Sequence, residues 1–307
     1  MRGWQVMRRQ VLSAAVLAFC GWFCTSCTGL SPDAELIRVG SYNIRYNGER
    51  CADRGTENDW EKRKGDVVRL IRKMDLDVFG LQEVCPDQLA YLREKLPDFV
   101  FVGEHRESDR QSGEASPVAY RRSQFEVERS GTFWLSKTPE VPGSKSWNTR
   151  CPRVCSYLIL RAKSSGRRFC FANTHTDHIS AEAREQGMLL IIRRMREFGL
   201  GAPIVFTGDH NCRYGDAPAV AVRKFLVDAR DVTMTADSGP RNTFQGFGRY
   251  KDGPVDVHGK AYDDYRIDYI YVTPGTKVYD FVTHGDRRPG TDLYPSDHYP
   301  VTATIEL

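Results

Sequence analysis

The sequence predicts one domain of mixed α and β structure, with many short strands and few helices. Two observations lead there. Short apolar or β-branched runs recur from Leu36 to the C-terminus, bounded by Gly, Pro, Asn and Asp. Few stretches between them carry helical periodicity, and no internal repeat, low-complexity block or domain-scale linker breaks the series.

The elements follow in order. Leu36 to Ile44 reads as a first strand, and Tyr46 to Asn58 as a polar loop. Asp59 suits the N-cap of a helix through Met74, with Trp60, Val67, Val68, Leu70 and Ile71 as its apolar residues. Asp77 to Val84 is a second strand, and Pro86 opens a second helix to about Leu96. Phe99 to Glu104 reads as a strand, Glu104 to Ser116 as a charged, mobile loop, and Pro117 to Arg121 and Phe125 to Leu135 as strands. Thr138 to Thr149 is a surface loop. Val154 to Ala162 and Arg167 to Thr174 form a hairpin around Ser164-Ser165-Gly166. Ala181 to Phe198 is the clearest amphipathic helix; its arginines read as a solvated face. Ile204 to Thr207 is a buried strand, with Gly208 turning the backbone after it. Pro218 to Phe225 is a short helix, Asp237 to Asp264 a long loop over the site, and Arg266 to Val272, Lys277 to Val282 and Val301 to Ile305 the last strands.

Hydrophobic content of 40% and charged content of 27% are ordinary for a soluble globular protein. The net charge of +4 misleads. Three of the 44 basic residues, Arg2, Arg8 and Arg9, lie in residues 1–27, which hold no acid, so the body carries 41 basic against 40 acidic residues. A near-neutral body is a weak electrostatic match for long nucleic acid. Residues 1–27 read as a targeting segment: a basic start, an apolar stretch from Val11 to Phe23 too short to span a bilayer, then Cys24-Thr25-Ser26-Cys27. That ending resembles a bacterial lipoprotein cleavage box, with Cys27 as the lipidated residue, although Cys24 stands where an aliphatic residue is usual. Ordinary cleavage nearby is the alternative. Either way the expected protein is exported, residues 28–35 are a tether, and residues 36–307 form the domain. The anchor would place it on the cell-envelope membrane, as a monomer. Six cysteines remain after Cys27, and in an oxidising compartment Cys51 with Cys85 and Cys151 with Cys155 are candidates for pairing.

Polar residues gather at the ends of the apolar runs. Asp209 and Asn211 follow Ile204–Thr207, so both can project to one spot beyond the sheet edge, where α/β proteins usually place their chemistry. Alone, this would be an Asx-rich turn. Asn43 follows the first strand and Glu83 ends the second. His175 and His178 flank Asp177; alternation makes His175 face the site and sets His178 behind it, and a zinc pair of the two is a third reading. Asp268 lies in an apolar strand and needs a partner such as a histidine. Ser296-Asp297-His298 precedes the final strand, and Arg153 precedes the strand at Val154. Glu83, Asp209 and Asp297 make a carboxylate set of the kind that Mg²⁺ or Mn²⁺ uses.

Six segments in order resemble the endonuclease/exonuclease/phosphatase superfamily: Ser41-Tyr42-Asn43-Ile44-Arg45, Leu81-Gln82-Glu83-Val84, Asn173-Thr174-His175, Gly208-Asp209-His210-Asn211, Arg266-Ile267-Asp268-Tyr269-Ile270 and Ser296-Asp297-His298-Tyr299-Pro300. The resemblance implies an α+β fold, a four-layer αββα sandwich with two mixed sheets, as in deoxyribonuclease I. It also implies roles: Glu83 binding Mg²⁺ or Mn²⁺ with Asn43 and Asp297 near it, Asp209 deprotonating water, Asn211 and His175 donating to phosphoryl oxygens, and His298, held by Asp268, contacting the phosphate. Arg153 would add a phosphate contact. His210 departs from the Phe or Leu usual in the family, and is expected to alter the pocket wall. The reaction implied is phosphoester hydrolysis, of a phosphodiester first, with nucleic acid or a sugar or inositol phosphomonoester as alternatives. An inactive phosphate-binding protein on the same scaffold is the non-enzymatic one.

Overall fold

The computed structural model describes residues 35–49, 51–250 and 265–307. Cys27, the targeting segment, nearly all of the tether and the second half of the long loop expected over the site lie outside the described residues.

β1 (Leu36–Asn43) leads through α1 (Trp60–Met74) to β2 (Val78–Gln82), and this crossover leaves the two strands parallel. Asp59 caps α1 as expected: its Oδ1 accepts the Glu61 N–H at 3.0 Å. α2 (Pro86–Lys95), β3 (Phe99–Val102) and β4 (Val118–Arg121) follow, then β5 (Phe125–Trp134), β6 (Val154–Ala162) and β7 (Arg168–His175) as an antiparallel meander. α3 (Ala181–Gly199) carries the chain to β8 (Ile204–Asp209), parallel to β7. α4 (Ala217–Val222), β9 (Val227–Asp228), β10 (Asp268–Val272), β11 (Val278–Thr283) and β12 (Val301–Glu306) complete it. Most boundaries fall within two residues of those read from the pattern. β9 is too short to carry an alternation.

The strands form two six-stranded sheets, ordered β11-β12-β1-β2-β4-β3 and β5-β6-β7-β8-β10-β9. Each is mixed, with one parallel pair near its centre. The apolar residues divide into three clusters. One lies between the sheets and includes Ile37, Val39, Val78, Leu158, Phe171, Val205, Ile270 and Val301. A second joins the first sheet to α1 and α2 through Phe79, Leu81, Leu70 and Leu92. A third joins the second sheet to α3 and α4 through Phe206, Tyr271, Met188 and Val222. Three cores separate four layers, the αββα sandwich of the expectation. Alternation decides which core each strand residue enters: Leu158 and Leu160 of β6 face the other sheet, Tyr157 and Ile159 the helices.

Near one end of the sandwich the inter-sheet layer turns polar. The Asn173 amide donates to the carbonyls of Leu81 (2.8 Å) and Pro117 (3.0 Å), and its oxygen accepts from Gln82 (2.7 Å) and Thr207 (3.1 Å). Gln82 also donates to the Ser41 hydroxyl at 3.0 Å. This clamp needs Gly80 opposite it, because a Cβ there would lie 2.1 Å from the Asn173 side-chain oxygen. The six cysteines Cys51, Cys85, Cys151, Cys155, Cys170 and Cys212 are all free thiols, so neither candidate disulfide forms. The Cys51 thiol instead donates to the Tyr46 carbonyl at 3.3 Å.

Candidate functional site

The site begins where the polar clamp ends. In β7, β8 and β10 the residues facing the other sheet continue the phase of Phe171, Val205 and Ile270. That phase reaches His175, Asp209 and Asp268, and pairing sets them in one row: His175 opposite Asp209, and Asp209 opposite Asp268. β8 is longer than expected. Gly208 lies within it, and its requirement is close approach: a Cβ there would meet the Thr174 carbonyl at 2.2 Å. His210 falls on the opposite phase and does not form pocket wall, contrary to expectation. Its ring packs 4.7 Å from Phe206 and stacks on Tyr269 and Tyr271 in the helix-facing core, where burial pushes its pKa down to about 3 and keeps it neutral.

The first sheet supplies the facing wall. Asn43 follows the inward phase of Ile37 and Val39. Glu83 would point outward if β2 continued, but its φ of 63° ends the strand and turns the side chain back. The Asn43 amide donates to Glu83 Oε1 at 3.1 Å and to Asp209 Oδ2 at 3.0 Å, linking the two sheets, and its Oδ1 accepts the Arg45 N–H at 3.0 Å. The Tyr46 N–H holds Glu83 Oε2 at 2.9 Å. Arg45 Nη1 lies 3.5 Å from Asp297, whose segment is fixed by Arg63 donating to the Pro295 carbonyl at 3.1 Å and by the Ser296 hydroxyl donating to the Asn43 carbonyl at 2.7 Å. Sequence reasoning missed Arg63, read as one polar residue of a helix although it is fully buried.

Two histidines flank Asp209. Its Oδ2 lies 3.5 Å from His175 Nε2 and 3.7 Å from His298 Nε2. Asp268, which required a partner, has one: its Oδ2 is 2.8 Å from His298 Nδ1. Phe244 covers the His298 ring at 4.9 Å. Burial alone would lower the His298 pKa, but Asp268, Asp209 and Asp297 outweigh it and raise it to about 10, so this ring is an imidazolium near neutrality. Asp209 moves up to about 7, through burial and then the Asp268 charge, against the pull of His298. His175 is held well below the usual range by burial and by Arg153 and Arg106, so it is neutral. Asn211 reinforces Asp209 with its own N–H at 2.9 Å, and Thr176 accepts from its amide at 3.1 Å.

Beyond His175 the wall comes from loops. The charged stretch read as mobile folds back, Ala115 bridging to Val84 and His105, and brings half-buried Glu114 to the pocket wall. Glu114 Oε2 lies 2.8 Å from Arg106 Nη1, 3.6 Å from Arg153 Nη1 and 3.8 Å from His175 Nδ1. Burial raises its pKa against both arginines. Arg153 is 6% exposed and its Nη2 meets His178 Nδ1 at 3.2 Å. Arg45, Glu83, Glu114, Arg153, His175, His178, Asp209, Asn211, Asp297 and His298, with Tyr46, Phe244 and Ile267, line one pocket of about 420 Å³. His178, expected behind the site, thus stands at its mouth. Glu114 sits in a stretch with no apolar period, and only the short Ala115-Ser116-Pro117 run before β4 marks it.

The donors suit a hard divalent cation. Glu83, His175 and Asp209 offer ligand atoms within 4.8 Å of one another. Asp209 and Asp297 both carry raised pKa values, a mark of buried negative charge short of compensation, which a cation would supply. Among the described residues His178 belongs to no such cluster.

The family model for the endonuclease/exonuclease/phosphatase family matches residues 40–298. Solved structures similar to this chain include an endonuclease/exonuclease/phosphatase family protein of Bacteroides vulgatus, 33% identical with a TM-score of 0.80 over 89% of this chain and 99% of that one. The mannosyl-6-phosphatase of Bacteroides thetaiotaomicron VPI-5482 is 30% identical, with a TM-score of 0.79 over 88% of this chain and 99% of that one. Among curated proteins, nocturnin of Drosophila melanogaster is 24% identical over 88% of this chain. Human tyrosyl-DNA phosphodiesterase 2 is 23% identical over 51% of this chain. The chain spans 45% and 39% of the lengths of these two curated relatives.

Proposed function

Because the chain belongs to the endonuclease/exonuclease/phosphatase family, we propose that it is a divalent-metal-dependent phosphoester hydrolase that delivers water in line to phosphorus. The observation that carries this is Asp209: a buried carboxylate set between two histidines, 3.5 Å and 3.7 Å away, and oriented by Asn43 and Asn211. A general base must be held within reach of the proton it takes. Asp209 takes the proton of the attacking water. Neutral His175 and the Asn211 amide donate to phosphoryl oxygens. His298, held as an imidazolium by Asp268, donates to the phosphate as negative charge builds on it. Glu83, with Asn43 and Asp297 beside it, would hold Mg²⁺ or Mn²⁺, which when bound neutralises charge on the phosphoryl group. A nearly uncharged body and a site pocket of about 420 Å³ speak for a small ester over a long nucleic acid.

The test is hydrolysis of p-nitrophenyl phosphate and bis-(p-nitrophenyl) phosphate with Mg²⁺ or Mn²⁺, before and after chelation. Equal rates for the wild type, Asp209→Ala and His298→Ala would remove the enzymatic reading and leave the phosphate-binding one. The sequence also supports export and a lipid anchor at Cys27; fatty-acid labelling that survives Cys27→Ser would discard the anchor.

A further inference from the structure

We infer that the end of the pocket built by Arg153, Glu114 and His178 receives the third terminal oxygen of a phosphomonoester, so the enzyme prefers monoesters to diesters. This rests on the phosphoester-hydrolase reading and reverses the diester preference expected from the sequence. Arg153 is 6% exposed, and its Nε is buried with no hydrogen-bond partner. Its Nη1 lies 3.6 Å from Glu114, beyond hydrogen-bond distance, and its Nη2 meets only the acceptor nitrogen of His178 at 3.2 Å. A buried guanidinium with so little compensation is costly unless an anion completes it. Glu114 does not supply that charge in full, because it is shared with Arg106, which it meets at 2.8 Å against 3.6 Å for Arg153.

Position selects the anion. His175 stands between the two groups, with Nε2 toward Asp209 and Nδ1 toward Glu114. A phosphoryl group bound by His175, Asn211 and His298 beside Asp209 therefore turns one substituent toward Arg153. In a monoester that substituent is a charged oxygen, which matches a guanidinium. In a diester it is an ester oxygen bearing a carbon group, which would leave the guanidinium buried against apolar atoms. The opposite wall has no equivalent, because Arg45 is already shared between Asp53 at 2.8 Å and Asp297 at 3.5 Å.

The experiment compares kcat/KM for p-nitrophenyl phosphate and bis-(p-nitrophenyl) phosphate in the full chain, with Arg153→Gln and Arg153→Lys, alongside calorimetric binding of inorganic phosphate without added metal. Thermal melting checks that each variant is folded. The expected result is a wild-type preference for the monoester. Arg153→Gln should lower the monoester kcat/KM about a hundredfold and the diester value by clearly less, and should weaken phosphate binding; Lys should restore part of both. Equal losses on the two esters, or a wild-type preference for the diester, overturn the inference while leaving the hydrolase reading in place. If the wild type cleaves neither ester, the hydrolase reading fails. Phosphate affinity lost in Arg153→Gln would then still uphold the terminal-oxygen contact, and unchanged affinity would remove it.

Discussion

The two ends of the pocket are held in different ways. At one end Asp209, His175 and Asp268 sit on adjacent strands in a single register row, and Asn43 ties that row to the other sheet. At the other end Glu114, Arg153 and His178 come from loops and meet through side-chain contacts of 3.2 and 3.6 Å. The row that holds Asp209 sits on paired strands, and the end proposed to receive a terminal oxygen sits on loops, which vary more readily.

The contrast can be broken most severely at Asp209. Asp209→Ala should lower kcat on the order of a thousandfold or more in a steady-state phosphatase assay, with little change in fold. A loss below about tenfold would place the base elsewhere. Asp268→Asn keeps the shape of the strand-end pair and removes its charge. His298 should then lose its proton at lower pH, so activity should fall about a hundredfold and the alkaline limb of the pH–rate profile should move to lower pH. An unmoved limb would detach His298 from Asp268.

Gly80→Ala probes the frame behind the row. A Cβ 2.1 Å from the Asn173 oxygen must push the sheets apart or break the clamp, and urea denaturation should show a loss of about 3 kcal/mol. His210→Phe tests the other face of β8. The unfolded imidazole takes up a proton below about 6.5, and the folded one only near 3. Its contribution is therefore complete above 6.5 and is lost as pH falls, about 2 kcal/mol by pH 5. Phe cannot titrate, so the variant should be flatter than the wild type between pH 7 and 5 when stability is followed by urea denaturation. A parallel acid loss in both proteins would rule His210 out as a source. Glu114→Gln, in the loop-built end, should have the smallest effect, about tenfold or less in kcat/KM. A loss as large as that of Asp268→Asn would erase the distinction between the ends.

The strand boundaries, the cap at Asp59 and the residues that end each apolar run are local properties, and they were legible. Alternation turned His175 toward the site, and the same count along β8 and β10 sets Asp209 and Asp268 on the inter-sheet side and His210 on the helix side, a signal present in the sequence that the motif neighbours alone do not carry. The turn of Glu83 was not legible, because it depends on a positive φ that only the Asn43 and Tyr46 contacts make worth adopting. Glu114 and Arg63 were not legible either: each is a charge in a polar stretch, and its burial depends on arginines or carbonyls distant in sequence. Sequence periodicity thus determined the strands and what stands at their ends. Only the tertiary structure decided which charges share a pocket and in what protonation state, because burial and opposing charge belong to the assembled chain and to no single stretch of it.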